Sequence, residues 1–222
     1  MKKLKRVYPF LLDMIFPPVC LACRHILDNT QKNKHICLSC LQNIPINSIF
    51  FRTDQNFILA AATTYDNETI KKLIHTLKYD RIKTAQYPLG DILISYLETI
   101  SLMPTSAIII PIPLHPTKAK KRGFNQAELL AQQIGIHFHL PIYTNILKRN
   151  KNTSAQAKRT IQSRSVNVAN CFSITPHIPF PKTQHIIIVD DVYTSGATLR
   201  EAVKTFRKKK YQNIIGIVVA KT

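Results

Sequence analysis

Short β-branched runs alternate with amphipathic stretches along most of the chain. Residues 57–65 read as a strand, followed by a helix capped by Asp66 or Asn67 whose apolar positions Ile70, Leu73, Ile74 and Leu77 recur at helical spacing. Lys71, Lys72, Lys78, Arg81 and Lys83 give that helix a basic edge. A second helix is predicted over 87–100, closed by Pro104, then a fully apolar strand over 107–111. A loop of prolines and cations leads from there to an amphipathic helix over 125–134. Further strands are expected at 142–147, around Cys171, at 186–189 and at 214–220, with a helix over 196–210 whose core stripe is Leu199, Ala202, Val203 and Phe206. Strands that alternate with helices, and whose own residues are apolar on both faces, predict an α/β domain with a parallel sheet flanked by helices. No repeat or low-complexity segment interrupts the pattern.

The run at 186–189 is followed by two acids, Asp190 and Asp191, and then by Thr194, Ser195, Gly196, Ala197 and Thr198. Ligands of open α/β sheets sit at the carboxyl ends of strands. A small-residue turn opening a helix presents free N–H groups to a phosphate. The two acids repel phosphate, so they suit sugar hydroxyls or a Mg²⁺ that bridges to phosphates. A phosphorylated ribose carrying a metal-bound pyrophosphate satisfies the whole stretch. Lys118, Lys120, Lys121 and Arg122 follow the strand at 107–111 and are expected to meet the pyrophosphate, with Lys121 and Arg122 the leading candidates. Residues 148–164, with Gln156, Arg159, Arg164 and Asn167 projecting nearby, read either as a flap over the site or as an exposed basic helix.

Composition adds a polyanion to the picture. Lys and Arg number 31 against 12 Asp and Glu, a formal charge of +19 in a chain of 222 residues. Such a field favours nucleic acid, an anionic membrane surface or phosphorylated substrates. Lys120, Arg149, Arg159 and Arg164 are the candidates for nucleic-acid contact. No apolar run is long enough to span a bilayer. The basic, apolar start superficially resembles a signal peptide. Asp13 interrupts its core and no small-residue cleavage site follows, so a short amphipathic helix bearing Phe10, Leu11, Met14 and Ile15 is expected, packed on the neighbouring module or touching a membrane surface.

Cys20, Cys23, Cys37 and Cys40 form two Cys-x-x-Cys pairs, the arrangement that closes a tetrahedral structural zinc site. Disulfides are the rival reading, and a reducing cytoplasmic compartment disfavours them. The expected organisation is an N-terminal helix and zinc module over 1–50 and an α/β domain over 51–222.

Taken together, Phe16-Pro17-Pro18-Val19-Cys20-Leu21-Ala22-Cys23, Leu77-Lys78-Tyr79, Pro111-Ile112-Pro113-Leu114-His115, Arg122-Gly123-Phe124-Asn125-Gln126, Thr153-Ser154-Ala155-Gln156, Arg164-Ser165-Val166-Asn167 and the diacid stretch resemble the ComF family over nearly the full chain. The resemblance implies a type I phosphoribosyltransferase-like domain behind a four-cysteine zinc module. It implies binding of phosphoribosyl pyrophosphate with Mg²⁺, and handling of incoming single-stranded DNA in natural transformation at the cytoplasmic face of the inner membrane, beside the DNA-uptake machinery. Two positions depart from the family: Ser195 stands where threonine is usual, and Arg159 where an apolar residue is common. Purine-salvage enzymes of this fold place an aspartate at the position of Thr194, which has no useful pKa, so that mechanism is disfavoured here. The alternative function is an active phosphoribosyltransferase acting on another acceptor; a sensor of the sugar phosphate that binds duplex DNA ranks below it. No catalytic residue is assigned.

Overall fold

The computed structural model describes residues 16–151 and 169–222. The apolar runs become a five-stranded sheet with the order β1-β2-β7-β6-β3. Its strands are β1 (Phe51–Arg52), β2 (Ile58–Thr64), β3 (Ala107–Pro111), β6 (His185–Tyr193) and β7 (Ile214–Lys221). All pairs are parallel except β1 with β2. A separate two-stranded antiparallel ribbon joins β4 (Leu147–Arg149) to β5 (Phe172–Ile174). The helices are α1 (Leu38–Gln42), α2 (Glu68–Lys78), α3 (Gln86–Thr99), α4 (Pro116–Arg122), α5 (Gln126–His137) and α6 (Ala197–Arg207).

Two apolar layers flank the sheet. Ile187, Val189 and Ile217 point towards Leu73, Leu77, Leu93 and Leu130 of the α2, α3 and α5 layer. Ile186, Ile188 and Val218 point towards Leu199, Val203 and Phe206 of α6. Because side chains alternate along a strand, Asp190 and Asp191 continue these two sets and fall on opposite faces of β6. The first layer also takes in Cys20, Leu27, Ile36 and Ile44, so the cysteine module shares its core with α2 and α3.

Helix α2 starts where Asn67 accepts hydrogen bonds from the Thr69 and Ile70 N–H groups, at 3.0 and 3.1 Å. Polar contacts tie the module to this layer. Lys72 Nζ donates to the Leu21 carbonyl at 3.1 Å, and Lys34 pairs with Asp91 at 2.7 Å. Thr63 Oγ1 donates to the Pro45 carbonyl at 2.6 Å. At the far edge of the sheet, the Ile109 N–H donates to the Pro141 carbonyl at 2.9 Å and the Tyr143 N–H donates to the Ile109 carbonyl at 2.8 Å.

Three readings from the sequence need correction. The strand expected at 186–189 runs on to Tyr193, so both acids lie within β6 instead of beyond it. Its pairing with β7 continues through Val192 and Tyr193, which holds the backbone extended past the acids. The loop of prolines and cations contains helix α4. Pro116 in its first turn is compatible with a helix start, the His115 ring accepts the Thr117 N–H at 3.3 Å, and Gly123 ends it at φ 84. The apolar run at 142–147 is no continuous strand. Ile142 makes one bridge to Ile109, and the chain then departs to pair Leu147 with Ile174. Cys171 is buried immediately before β5. The amphipathic helix expected around Phe10–Ile15 and most of the flap or helix expected at 148–164, with Gln156, Arg159, Arg164 and Asn167, lie outside the described residues.

Candidate functional site

Asp190 and Asp191 are buried near the carboxyl end of β6. Asp190 Oδ1 accepts the Asp191 N–H at 2.9 Å, and Asp191 Oδ1 accepts the Val192 N–H at 3.0 Å. Asp191 also pairs with Lys78 Nζ, at the end of α2, with 2.5 Å between Nζ and Oδ2. The two acids therefore differ electrically. Burial, reinforced by the charge of Asp191, pushes Asp190 far above the usual carboxylate range. Burial acts the same way on Asp191, but the Lys78 ammonium outweighs it and holds that carboxyl below its ordinary value, with help from Arg122. Lys78 is the residue that sequence reasoning left unassigned. It stood in plain view within Leu77-Lys78-Tyr79, but only the length and placement of α2 bring it to Asp191.

Arg122 reaches this edge because Arg122-Gly123-Phe124-Asn125-Gln126 folds as a unit. Gly123 ends α4, and Asn125 caps α5 by accepting the Ala127 N–H at 3.2 Å. Asn125 Nδ2 also donates to the Ile112 carbonyl at 3.0 Å, beyond β3, and Arg122 Nη1 donates to buried Gln126. Burial lowers the pKa of Lys118, and the charges of Arg149 and Arg122 lower it further, which places these three cations in one field. Lys120 and Lys121 are exposed on the outer side of α4, whereas Arg149 lies half-buried on β4 over the Phe172 ring, 5.4 Å from its centroid.

Beyond the acids, Thr194 is exposed and Ser195, Ala197 and Thr198 are half-buried around buried Gly196. Gly196 takes φ 73, and a Cβ there would collide with the Tyr193 ring, so only glycine fits without rearrangement. Helix α6 has no side-chain cap. Its first intrahelical bond runs from the Arg200 N–H to the Gly196 carbonyl at 2.9 Å, leaving the N–H groups of Ala197, Thr198 and Leu199 ahead of the ladder. The Arg200 guanidinium fixes the turn by donating to the Ser195 carbonyl and pairing with Asp54 at 3.1 Å. This end of the sheet thus carries two unlike acids, with Lys78 and Arg122 acting on Asp191 and an uncapped helix start following a few residues further along the chain. Such an edge suits a ligand with hydroxyls at its centre and anionic groups at both ends.

The second site is the thiol cluster. The sulfur atoms of Cys20, Cys23, Cys37 and Cys40 lie within 4.8 Å of one another, and those of Cys23 and Cys37 are 3.8 Å apart. Tetrahedral zinc with bonds of about 2.3 Å places its sulfurs about 3.8 Å apart, so the set fits that ion. The Ser39 hydroxyl, with the Cys40 backbone, draws the Cys37 thiol down to about 6. Proximity to Cys37, with burial, pushes Cys40 up to about 12. Four crowded thiols cannot all ionise without a cation among them, and a thiolate-binding metal supplies one.

Residues 120–222 match the phosphoribosyl transferase domain family, and residues 11–50 match the double zinc ribbon domain family. The chain is 38% identical over 106 residues to Competence protein F of Haemophilus influenzae, covering 48% of this chain and 46% of that protein. It is 30% identical over 137 residues to DNA utilization protein YhgH of Escherichia coli K12, covering 60% and 58%. It is 32% identical over 102 residues to Competence protein ComFC of Bacillus subtilis, covering 46% and 39%. The aligned part of the chain thus spans about half the length of the curated relatives it matches. Among the described residues no helix is long and apolar enough to cross a membrane.

Proposed function

We propose, from the two matching domain families and the competence-named relatives, that the chain is a ComF-family protein, that it handles incoming single-stranded DNA during natural transformation, and that it binds phosphoribosyl pyrophosphate at the diacid edge of its sheet. The observation that carries the pocket reading is the placement of Asp190 and Asp191 beside the uncapped start of α6, with Lys78 and Arg122 on the Asp191 side. In this reading the turn at 194–198 takes the 5′-phosphate on the N–H groups of Ala197 and Thr198, with the hydroxyls of Thr194, Ser195 and Thr198 around it. Asp190 and Asp191 accept hydrogen bonds from the ribose hydroxyls. Arg122, with Lys121 behind it, takes the pyrophosphate. Mg²⁺ arriving with the diphosphate would find hard carboxylate oxygens here, the donor type it prefers. Calorimetry with phosphoribosyl pyrophosphate and Mg²⁺ tests the pocket. Binding by the wild type and its loss in Asp190→Ala/Asp191→Ala is the expected result, and equal heat from both proteins refutes the assignment.

The DNA reading rests on the names of the relatives and on the +19 charge. Lys120 and Arg149, with Arg159 and Arg164, are the phosphate contacts, and work at the inner face of the membrane beside the uptake machinery follows from the same family role. Each phosphate neutralised contributes about −0.7 to the slope of log affinity against log salt for a single strand. Lys120→Glu/Arg149→Glu is expected to flatten that slope by about 1.4. A wild-type affinity for oligonucleotide that is indifferent to salt would refute the electrostatic account.

A further inference from the structure

Lys78 is the least expected cation of the sheet edge. It is the last residue of α2, its side chain is 20% exposed, and its ammonium meets a carboxylate that is 5% exposed. Burial opposes its charge and Asp191 restores it, so its pKa ends above the ordinary lysine value. A buried ion pair of this kind adds little net stability, because removing both charges from water offsets most of their attraction. The apolar residues of α2, Ile70, Leu73, Ile74 and Leu77, already anchor the helix. Packing therefore does not account for a lysine at this position, and a role towards ligand does.

Its location narrows that role. Asp191 lies on the α2 and α5 face of β6, where Lys78 touches it and Arg122 acts on it. The uncapped start of α6 lies beyond the strand, further along the chain. A sugar phosphate seated with its 5′ end on α6 and its hydroxyls over the two acids directs its other end away from α6, towards Lys78 and Arg122.

We propose that Lys78 is a ligand-binding residue of this edge, neutralising Asp191 in the free protein and holding the diphosphate arm of the sugar when ligand arrives. This assignment rests on the phosphoribosyl pyrophosphate reading. Two cations from different crossover segments, Lys78 and Arg122, then converge on the diphosphate, while the ribose hydroxyls take over the hydrogen bonds of Asp191.

The experiment compares two probes, phosphoribosyl pyrophosphate and ribose 5-phosphate, titrated calorimetrically with Mg²⁺ present into the wild type and K78M. A charge-assisted contact to the diphosphate is worth about tenfold or more in affinity. K78M is expected to lose about that factor for phosphoribosyl pyrophosphate and to stay within about twofold for ribose 5-phosphate. K78Q, one atom shorter but with an uncharged hydrogen-bond donor in place of the ammonium, carries the same expectation should K78M fail to fold. Equal losses for both probes, or an unchanged preference for the diphosphate, overturn the role of Lys78 alone. A wild type that binds neither probe overturns the pocket, and the role of Lys78 with it.

Discussion

The thiol cluster and the diacid edge are both gatherings of groups that cannot all carry their charge together, and the protein resolves the conflict differently in each. At the thiols, short turns hold four sulfurs at metal-ligand spacing, and the relief comes from outside as a metal. At the diacid edge the relief comes from within: Lys78 neutralises Asp191, and burial beside Asp191 raises the pKa of Asp190. The first site rests on small elements, a three-residue 3₁₀ turn (Lys32–Lys34) and the five-residue α1, neither of which contributes a fully buried residue. The second stands on β6, whose central residues are buried between two helical layers. A metal-dependent module and a packing-dependent sheet should therefore fail under different insults.

The largest effect expected is on the module. Structural zinc in small ribbons is worth about 10 kcal/mol or more at neutral pH. Strong chelation, or Cys37→Ser, is expected to abolish bound zinc and open residues 24–36 to protease, while the sheet keeps a cooperative melting transition. Survival of the module without metal would erase the contrast. Next, Leu73→Ala removes a fully buried side chain from the layer that both regions share. It is expected to cost about 2–5 kcal/mol by urea unfolding. Gly196→Ala forces a Cβ onto a backbone at φ 73 and against Tyr193. A cost of about 1–2 kcal/mol is expected, together with weaker phosphate binding, both read on one purified variant.

Asp190 sharpens the comparison through pH. Its carboxyl is pushed up to about 8 from an unfolded value near 3.8, so across that window the native protein keeps a proton the unfolded chain has lost. Stability contributed by this group falls as pH rises through the window. Asp190→Asn is expected to be the more stable protein at pH 8, by about 1 kcal/mol or more, with the gap closing towards pH 4. Asp191 runs the other way, because its lowered pKa gives stability that is present above 3.8 and lost in acid. Denaturant midpoints from pH 8 down to about pH 2 report both slopes, Asp190 above pH 4 and Asp191 below it. The smallest effect belongs to Asn67→Ala, which removes the cap of α2 and is expected to cost about 1 kcal/mol.

Local pattern was enough for the sheet interior. The strand at 107–111 is observed as read, because a run buried on both faces is apolar at every position. The four cysteines are equally legible, since two Cys-x-x-Cys pairs point to a metal once a reducing compartment disfavours disulfides. Two kinds of feature are not. Helix α4 has seven residues and no buried one, so no apolar stripe marks it, and the proline at its start is equally at home in a loop. The run at 142–147 had strand composition, but its neighbours decided otherwise: Ile142 fills the space beside Gly135, and the chain then turns to pair with β5. The Lys78–Asp191 pair spans more than a hundred residues of sequence and exists only once α2 has docked on the sheet.

The way the sheet ends has a consequence for how copies of this chain meet. One border is a two-residue antiparallel segment, and at the other the backbone at 141–143 occupies both hydrogen-bonding groups of Ile109. An isoleucine-rich sheet with open borders would template further strands and seed fibres. Here little of the border is left to recruit a neighbour, so the interior can be as β-branched as its packing demands without making the protein prone to polymerise.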